Sequence, residues 1–253
     1  MTDDFIIETG GLTREFKGFV AVRDVSLRVR RGTIHALIGP NGAGKTTCFN
    51  MISKFLEPTR GSIRFKGVDI TAAKPHAVAR MGMVRSFQIS AVFPHLSVLD
   101  NLRIALQRRL GISFHFWRPV SVLAVVDERA HALLEDVGLT GYAEIAAAEL
   151  AYGRKRALEI ATTLALDPDL LLLDEPMAGM GREDIDRIAR LIKRVSANRS
   201  VLMVEHNLSV VADLSDRITV LARGGILAEG TYAEVSSNPD VISAYLGSEA
   251  GHG

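Results

Sequence analysis

Gly39-Pro-Asn-Gly-Ala-Gly-Lys-Thr-Thr47 follows the apolar run Ile34-His-Ala-Leu-Ile38 and opens the helix-like stretch TTCFNMISKFL. Gly39, Gly44, Lys45 and Thr46 fit the spacing G-x-x-x-x-G-K-[ST]. Glycines at these positions let the backbone curl until successive N–H groups point at one phosphate, and the positive end of the following helix adds to the attraction. The intervening Pro40, Asn41, Gly42 and Ala43, and the next residue Thr47, belong to the same cradle. Lys45 is predicted to reach the β- and γ-phosphates and Thr46 to ligate Mg²⁺. A bare glycine turn is the competing reading. It does not require the strand before and the helix after that this sequence supplies.

A second chemical element lies far along the chain, at Leu170-Leu-Leu-Leu-Asp-Glu175. An apolar strand ending in Asp174 presents a carboxylate to a magnesium shell. Glu175 supplies another, suited to accept a hydrogen bond from a water attacking the γ-phosphate. Water as acceptor means hydrolysis instead of transfer to a metabolite. The plainer alternative is that both carboxylates cap a turn.

Composition sets the frame. The chain has 253 residues, 47% hydrophobic and 23% charged, in keeping with a folded protein of one large or two modest domains. Thirty basic residues against 29 acidic ones give a net charge of +1, so no bulk field draws the chain to nucleic acid or anionic lipid. The single cysteine, Cys48, excludes an internal disulfide and reads as a small packed side chain in a reducing compartment. The amino terminus MTDDFIIETG lacks the basic and long apolar regions of a secretion signal. The apolar runs at Val120–Val126 and Leu170–Leu173 are far shorter than the roughly 18 residues that span a bilayer. A soluble cytoplasmic chain is expected, with any membrane role exercised through a partner.

Phe5 to Phe87 reads as strands broken by turns, with one helix after the glycine loop. From Ile89 to about Leu166 the pattern is helical, in VLDNLRIALQRRL, VVDERAHALLEDVGL and GRKRALEIATTLAL. Strand and helix then alternate: LLLLDE, REDIDRIARLIKRVSA, SVLMVEH, NLSVVADLSD, two strands across Gly224-Gly225, and a closing helix through DVISAYLG. This is an α/β core with a helical insert.

Between the two chemical elements lies LAYGRKRALEIA, Leu150–Ala161. With that order in view the chain resembles the nucleotide-binding subunit of an ABC transporter over nearly its full length. The resemblance implies a P-loop NTPase core with an N-terminal antiparallel β subdomain and an inserted α-helical subdomain. Residues 5–247 are then one ATPase domain, 89–167 the insert carrying the signature, and 248–253 a disordered tail. Gln88 in RSFQ matches the glutamine that links the γ-phosphate and Mg²⁺ to the insert, alongside Thr46 and Asp174 as metal ligands. His206 in VEH matches the switch histidine, and Phe16 in REFKGF the aromatic that stacks on adenine. Lys45, Gln88, Glu175 and His206 are the catalytic candidates. The family binds ATP between two subunits, the phosphate loop of one facing the signature of the other.

The signature departs from the common LSGGQ: Leu150, Ala151, Tyr152, Gly153 and Arg154 stand there. Ala151 lacks the serine hydroxyl, Tyr152 is bulky where glycine is usual, and Gly153 remains. MAGMG after Pro176 also lacks the usual aspartate. LAYG, EPMAGM, VEHN and the insertion LQRRLGISFHFWRP together look like the ATPases of branched-chain (hydrophobic) amino-acid importers. That resemblance implies a second, different ATPase subunit, two integral membrane permease subunits, a periplasmic solute-binding protein acting indirectly, and no nucleic-acid partner. It implies a seat on the cytoplasmic face of the inner membrane. A urea or short-amide importer is the close alternative, a non-transport ABC protein the remote one. A small-molecule kinase would need an acceptor pocket and a basic lid that this sequence does not display. The cluster Phe114-His-Phe-Trp117 reads as core packing, or else as a docking surface.

Overall fold

The computed structural model describes residues 4–86, 92–109 and 120–249. In chain order it begins with β1 (Phe5–Phe16), β2 (Phe19–Val25), β3 (Arg28–Arg30), β4 (Ile34–Ile38), α1 (Lys45–Ile52), β5 (Arg60–Phe65), β6 (Val68–Asp69), α2 (Pro75–Arg80) and β7 (Met83–Ser86). Helices α3 (Val98–Arg109), α4 (Val120–Asp136) and α5 (Tyr152–Leu164) follow. The chain closes with β8 (Leu170–Asp174), α6 (Arg182–Ser196), β9 (Ser200–Val204), α7 (Leu208–Leu214), β10 (Arg217–Ala222), β11 (Gly225–Gly230), α8 (Tyr232–Ser236) and α9 (Pro239–Glu249). Two compact units result. The described parts of Met1–Met83, Asp169–Pro176 and Val195–Gly253 form the first, and those of Val84–Pro168 and Met177–Arg194 the second.

In the first unit, β1 is the hub of an antiparallel sheet of order β2-β1-β5-β6, with β3 also paired to β1. The other sheet of this unit runs β11-β10-β4-β9-β8. Its strands β10, β4, β9 and β8 are parallel, and β11 turns back antiparallel on β10. Every residue of β4, β8 and β9 is buried, which is why these strands read as unbroken apolar runs instead of alternating ones. Cys48, Phe49, Met51 and Ile52 of α1 join one core with Leu12, Val22 and Phe65 of the antiparallel sheet and Leu37, Leu172 and Leu202 of the parallel one. Full burial of a side chain such as Phe49 stabilises by roughly 1.5–3 kcal/mol. Burial also pushes the Cys48 thiol up to about 12, so it packs and does not react.

Local details differ from the sequence reading. The helix after the glycine loop stops at Ile52, short of Leu56. Lys54 takes the left-handed conformation (φ 65°), its N–H donating to the Met51 carbonyl and that of Phe55 to the Asn50 carbonyl. Such a stop ordinarily carries glycine, and a lysine there leaves no sequence signal. The short helix α2 was not foreseen; Val78 is its one buried residue, too little for a periodic pattern. The β10–β11 hairpin turns at Arg223-Gly224 (φ 50° and 83°), so Gly225 opens β11 opposite Ala222 instead of sharing the turn.

His35, inside β4, is wholly buried and its Nε2 lies 2.8 Å from Thr219 Oγ1, which in turn lies 3.0 Å from Glu229 Oε2. Its Nδ1 has no hydrogen-bond partner among the described residues. Desolvation lowers its pKa from 6.5 to about 4, against the attraction of Glu229. The unfolded chain therefore takes up a proton near pH 6.5 that the folded one refuses until about pH 4. Stability from this group is full above pH 6.5 and is lost as pH falls toward 4, by about 3 kcal/mol in total. His35→Gln is expected to flatten this part of the stability curve, read as urea midpoints at pH 7 and pH 5. Parallel curves for variant and parent would refute the assignment.

In the second unit, α3 packs on α4 and α5. Arg103 on α3 donates to Asp100 at 2.9 Å and to Asp127 of α4 at 2.7 Å. Buried Asn101 holds the preceding turn, accepting from the Phe93 N–H at 2.6 Å and donating to the Ser97 carbonyl at 2.9 Å. A buried ion pair, Arg156–Glu159 at 2.6 Å, stiffens α5.

Candidate nucleotide site

Strands β4, β9 and β8 are parallel neighbours, so their carboxyl ends deliver three loops to one edge of the sheet. In an open α/β sheet that edge is where ligands bind. β4 delivers Gly39, with Gly39, Gly42 and Gly44 at φ 150°, 76° and 96°. A Cβ on Gly39 would lie 2.2 Å from the Leu221 carbonyl oxygen, and one on Gly44 2.6 Å from that of Ala21. Side chains are thus barred on the protein side of the loop, whereas a Cβ on Gly42 would meet nothing within 4 Å. The Ala43 N–H donates to the Pro40 carbonyl at 3.2 Å, and the Ala43 carbonyl accepts from the Gly224 N–H at 3.1 Å. The β10–β11 turn therefore buttresses the loop from behind.

Lys45 begins α1, and its Nζ folds back to donate to the Gly39 carbonyl at 2.7 Å and the Pro40 carbonyl at 3.0 Å. It is 6% exposed, and desolvation lowers its pKa more than nearby Glu175 raises it. A desolvated ammonium held by neutral carbonyls at a helix start without acidic residues is a site short of negative charge. Thr46 is exposed beside it.

β8 delivers Asp174, 2% exposed, and then Glu175. Glu175 sits in the left-handed region (φ 45°) with its N–H donating to the Val204 carbonyl at 3.0 Å. A non-glycine residue held there costs about 1–3 kcal/mol, as it also does at Lys54 and Arg223. β9 delivers Glu205, His206 and Asn207. His206 Nε2 lies 2.5 Å from Glu175 Oε1. The buried Glu205 carboxylate accepts from the His206 N–H at 3.0 Å, and Asn207 caps α7 by accepting from the Ser209 and Val210 N–H groups. Glu205 and Asn207 went unassigned in the sequence reading. Asn207 was legible as a helix cap before an apolar stretch; the inward turn of Glu205 was not.

Phe16 ends β1 opposite Phe19, across the Lys17-Gly18 turn, and is 41% exposed with the Arg14 guanidinium 4.6 Å from its ring centre. The same hairpin brings Ala21 against Gly44. Lys45, Asp174, Glu175 and His206 thus share the first unit with Phe16. Leu150, Ala151, Tyr152 and Gly153 belong to the second unit. There Leu150 is buried, Ala151 is the N-cap of α5 without a side-chain hydrogen bond, and Tyr152 is 60% exposed with its hydroxyl donating to the Ala178 carbonyl at 3.2 Å. A Cβ on Gly153 would stand 2.3 Å from the Asp184 carboxylate. Gln88 and the cluster at 114–117 lie outside the described residues. Among the described residues no group of three or more His, Cys, Asp or Glu side chains is disposed to hold a metal, and no helix is long and apolar enough to cross a membrane.

The ABC transporter family model matches residues 22–178, which span the glycine loop, the signature and Asp174-Glu175. The chain belongs to the ABC transporter family. A second model, described as a branched-chain amino acid ATP-binding cassette transporter, matches residues 226–251 of this ABC ATPase. It is 41% identical over 250 residues to the high-affinity branched-chain amino acid transport ATP-binding protein BraF of Pseudomonas aeruginosa, covering 96% of this chain and 98% of that protein. It is 39% identical over 249 residues to the corresponding LivG of Escherichia coli, covering 96% and 98%. The crystal structure of the ADP conformation of MJ1267, an ATP-binding cassette of an ABC transporter, superimposes with a TM-score of 0.83 at 29% identity, covering 96% of this chain and 99% of that one. As an ABC ATPase the protein binds ATP and hydrolyses it, on the cassette fold that its sequence led us to expect.

Proposed function

We propose that this ABC ATPase powers uptake of branched-chain (hydrophobic) amino acids. The observation that carries the hydrolytic part is the Glu175–His206 contact at the strand edge that also holds Asp174 and the Lys45 loop. The choice of solute rests on BraF and LivG, whose names carry it, and on the C-terminal match at residues 226–251.

The residues suit a magnesium nucleotide. Closely backed glycines and a lysine ammonium held only by neutral carbonyls favour a polyphosphate. A magnesium ion keeps several waters and takes few protein ligands, so Thr46, Asp174 and Gln88 are a sufficient set. Bound there, magnesium would neutralise charge on the β- and γ-phosphates. Lys45 leaves the Gly39 and Pro40 carbonyls to pair with those phosphates, while backbone N–H groups of the loop from Asn41 to Thr47 surround them. Glu175 accepts a hydrogen bond from the attacking water and polarises it, with His206 fixing the carboxylate and contacting the γ-phosphate. Phe16 offers its exposed ring to adenine.

The signature Leu150–Gly153 serves the site of a second cassette, and that cassette's signature serves this one. Ala151 and Tyr152 make this chain's contribution the poorer, which favours a heterodimer in which the Lys45–Glu175 site faces the fuller signature and turns over faster. Residues 5–247 act as one ATPase domain, with the insert 89–167 transmitting closure to two integral membrane permease subunits. The subunit sits on the cytoplasmic face of the membrane through those permeases and meets the periplasmic solute-binding protein only indirectly. Reconstituting it in proteoliposomes with its sister ATPase, the permeases and the binding protein is expected to give ATP-dependent leucine uptake. Uptake of urea or short amides instead, with none of leucine, isoleucine or valine, would overturn the solute assignment.

A further inference from the structure

We propose that Arg14, in β1, is a positioning residue for the base of the nucleotide: its guanidinium stacks on the Phe16 ring, is tied to the chain beyond α1, and so holds that ring where a purine settles on it. The inference rests on the reading of Phe16 as the adenine platform.

The guanidinium carbon of Arg14 lies 4.6 Å from the centre of the Phe16 ring. Arg14 Nη1 donates to the Glu57 carbonyl at 2.8 Å, in the segment that follows α1. That segment is itself laced to β1 on both sides of Arg14. The Thr59 N–H donates to the Thr13 carbonyl at 2.8 Å, and the Glu15 N–H donates to Thr59 Oγ1 at 3.1 Å. Arg14 Nε is buried and has no hydrogen-bond partner among the described residues. On that edge of the cation the aromatic ring supplies the compensation that water and oxygen acceptors do not. A planar guanidinium is suited to such a stack, as a compact ammonium is not.

Phe16 needs such a backing. It is 41% exposed and adjoins the Lys17-Gly18 turn (φ 46° and 90°), opposite Phe19, which is 69% exposed. A ring so placed at a hairpin tip is poorly fixed by packing. At the level of Arg14 the hairpin is firmly seated. Pairing steps there from Arg14–Val22 to Glu15–Val20, which leaves Ala21 as the extra residue of a bulge in β2. Gly44 of the phosphate loop packs so closely on the Ala21 carbonyl that a Cβ would lie 2.6 Å from its oxygen. Arg14 therefore carries a level fixed against the phosphate loop outward to the ring. The nucleotide itself sets the span from phosphates to base, so a ring held at one place binds with less ordering cost. A cation behind the ring also draws its π-electrons back and makes the open surface a better seat for an electron-rich purine.

Calorimetric titration of the full chain in EDTA, with ATP and separately with inorganic tripolyphosphate, tests this, because tripolyphosphate keeps the phosphates and lacks the base. Arg14→Gln retains a donor for the Glu57 carbonyl and loses the cation. Its Kd for ATP is expected to rise about three- to tenfold, the range of one cation–π contact, with Kd for tripolyphosphate unchanged. Arg14→Lys, which restores the charge, should recover part of the loss. In turnover KM for ATP should rise by a similar factor while kcat at saturation holds. An unchanged Kd for ATP would overturn the inference. So would an equal weakening of both ligands, since Arg14 would then merely support the fold. Phe16→Ala separates this inference from the reading beneath it. If that variant binds ATP as the parent does, the platform reading fails and the role of Arg14 with it. If it weakens ATP and Arg14→Gln does not, the role of Arg14 alone fails. Should Arg14→Gln not fold, Arg14→Ala is judged by the same split between the two ligands.

Discussion

Lys45→Ala is expected to abolish ATP turnover and the stabilisation that nucleotide confers. The side chain starts the helix behind the phosphate loop and is 6% exposed, so its charge is compensated by two carbonyls and little water. The cost of holding it there is visible in its lowered pKa, where desolvation outweighs the help of Glu175. A phosphate group removes that cost, and alanine leaves the phosphate without its cation. Loss of one preorganised donor slows turnover by roughly 10²–10³-fold, and loss of a full charge should fall at or beyond that range. A ligand at a hundred times its Kd stabilises by about 2.7 kcal/mol; the variant should lose this shift while its ligand-free melting point changes little, because a desolvated charge has also been removed. Thermal shift with ATP in EDTA, alongside orthophosphate release, reads both. Turnover within tenfold of the parent would sink the assignment.

Glu175→Gln separates binding from cleavage. Glutamine keeps the size of the side chain and an oxygen for His206 Nε2, which lies 2.5 Å from Glu175 Oε1. It loses the charge proposed to polarise water. General-base catalysis contributes about 10²–10⁴-fold, and orthophosphate release should fall by that much. ATP should be retained and, with one negative charge fewer near the γ-phosphate, held at least as tightly. Closed dimers should therefore accumulate in ATP, visible by size-exclusion chromatography. Normal hydrolysis would mean that the base is elsewhere, with His206 the first side chain to test.

Both predictions were within reach of the sequence, because their residues announce themselves locally. The glycines at 39 and 44 with Lys45, and an apolar run ending in Asp174-Glu175, are patterns a few residues long. The parallel sheet was equally legible, since β4, β8 and β9 are buried along their whole length and carry no alternation to hide them. Less legible was where α1 stops, because the left-handed residue at its end is Lys54 and no glycine marks it. The left-handed backbone of Glu175 was hidden for the same reason, although it helps to aim the carboxylate at His206.

The sequence alone supplied the candidates for this protein's chemistry: a glycine loop with its lysine, a carboxylate ending a buried strand and a second one beside it, each written in neighbouring residues whose backbone and charge act over one turn or one strand. The tertiary structure decided which distant groups serve them. It brought Gly224 to Ala43, the Tyr152 hydroxyl to the Ala178 carbonyl, and His35 to Thr219, 184 residues away. Such pairings follow from strand order, register and the closing of long loops, and residues so far apart leave no periodic trace in one another's vicinity.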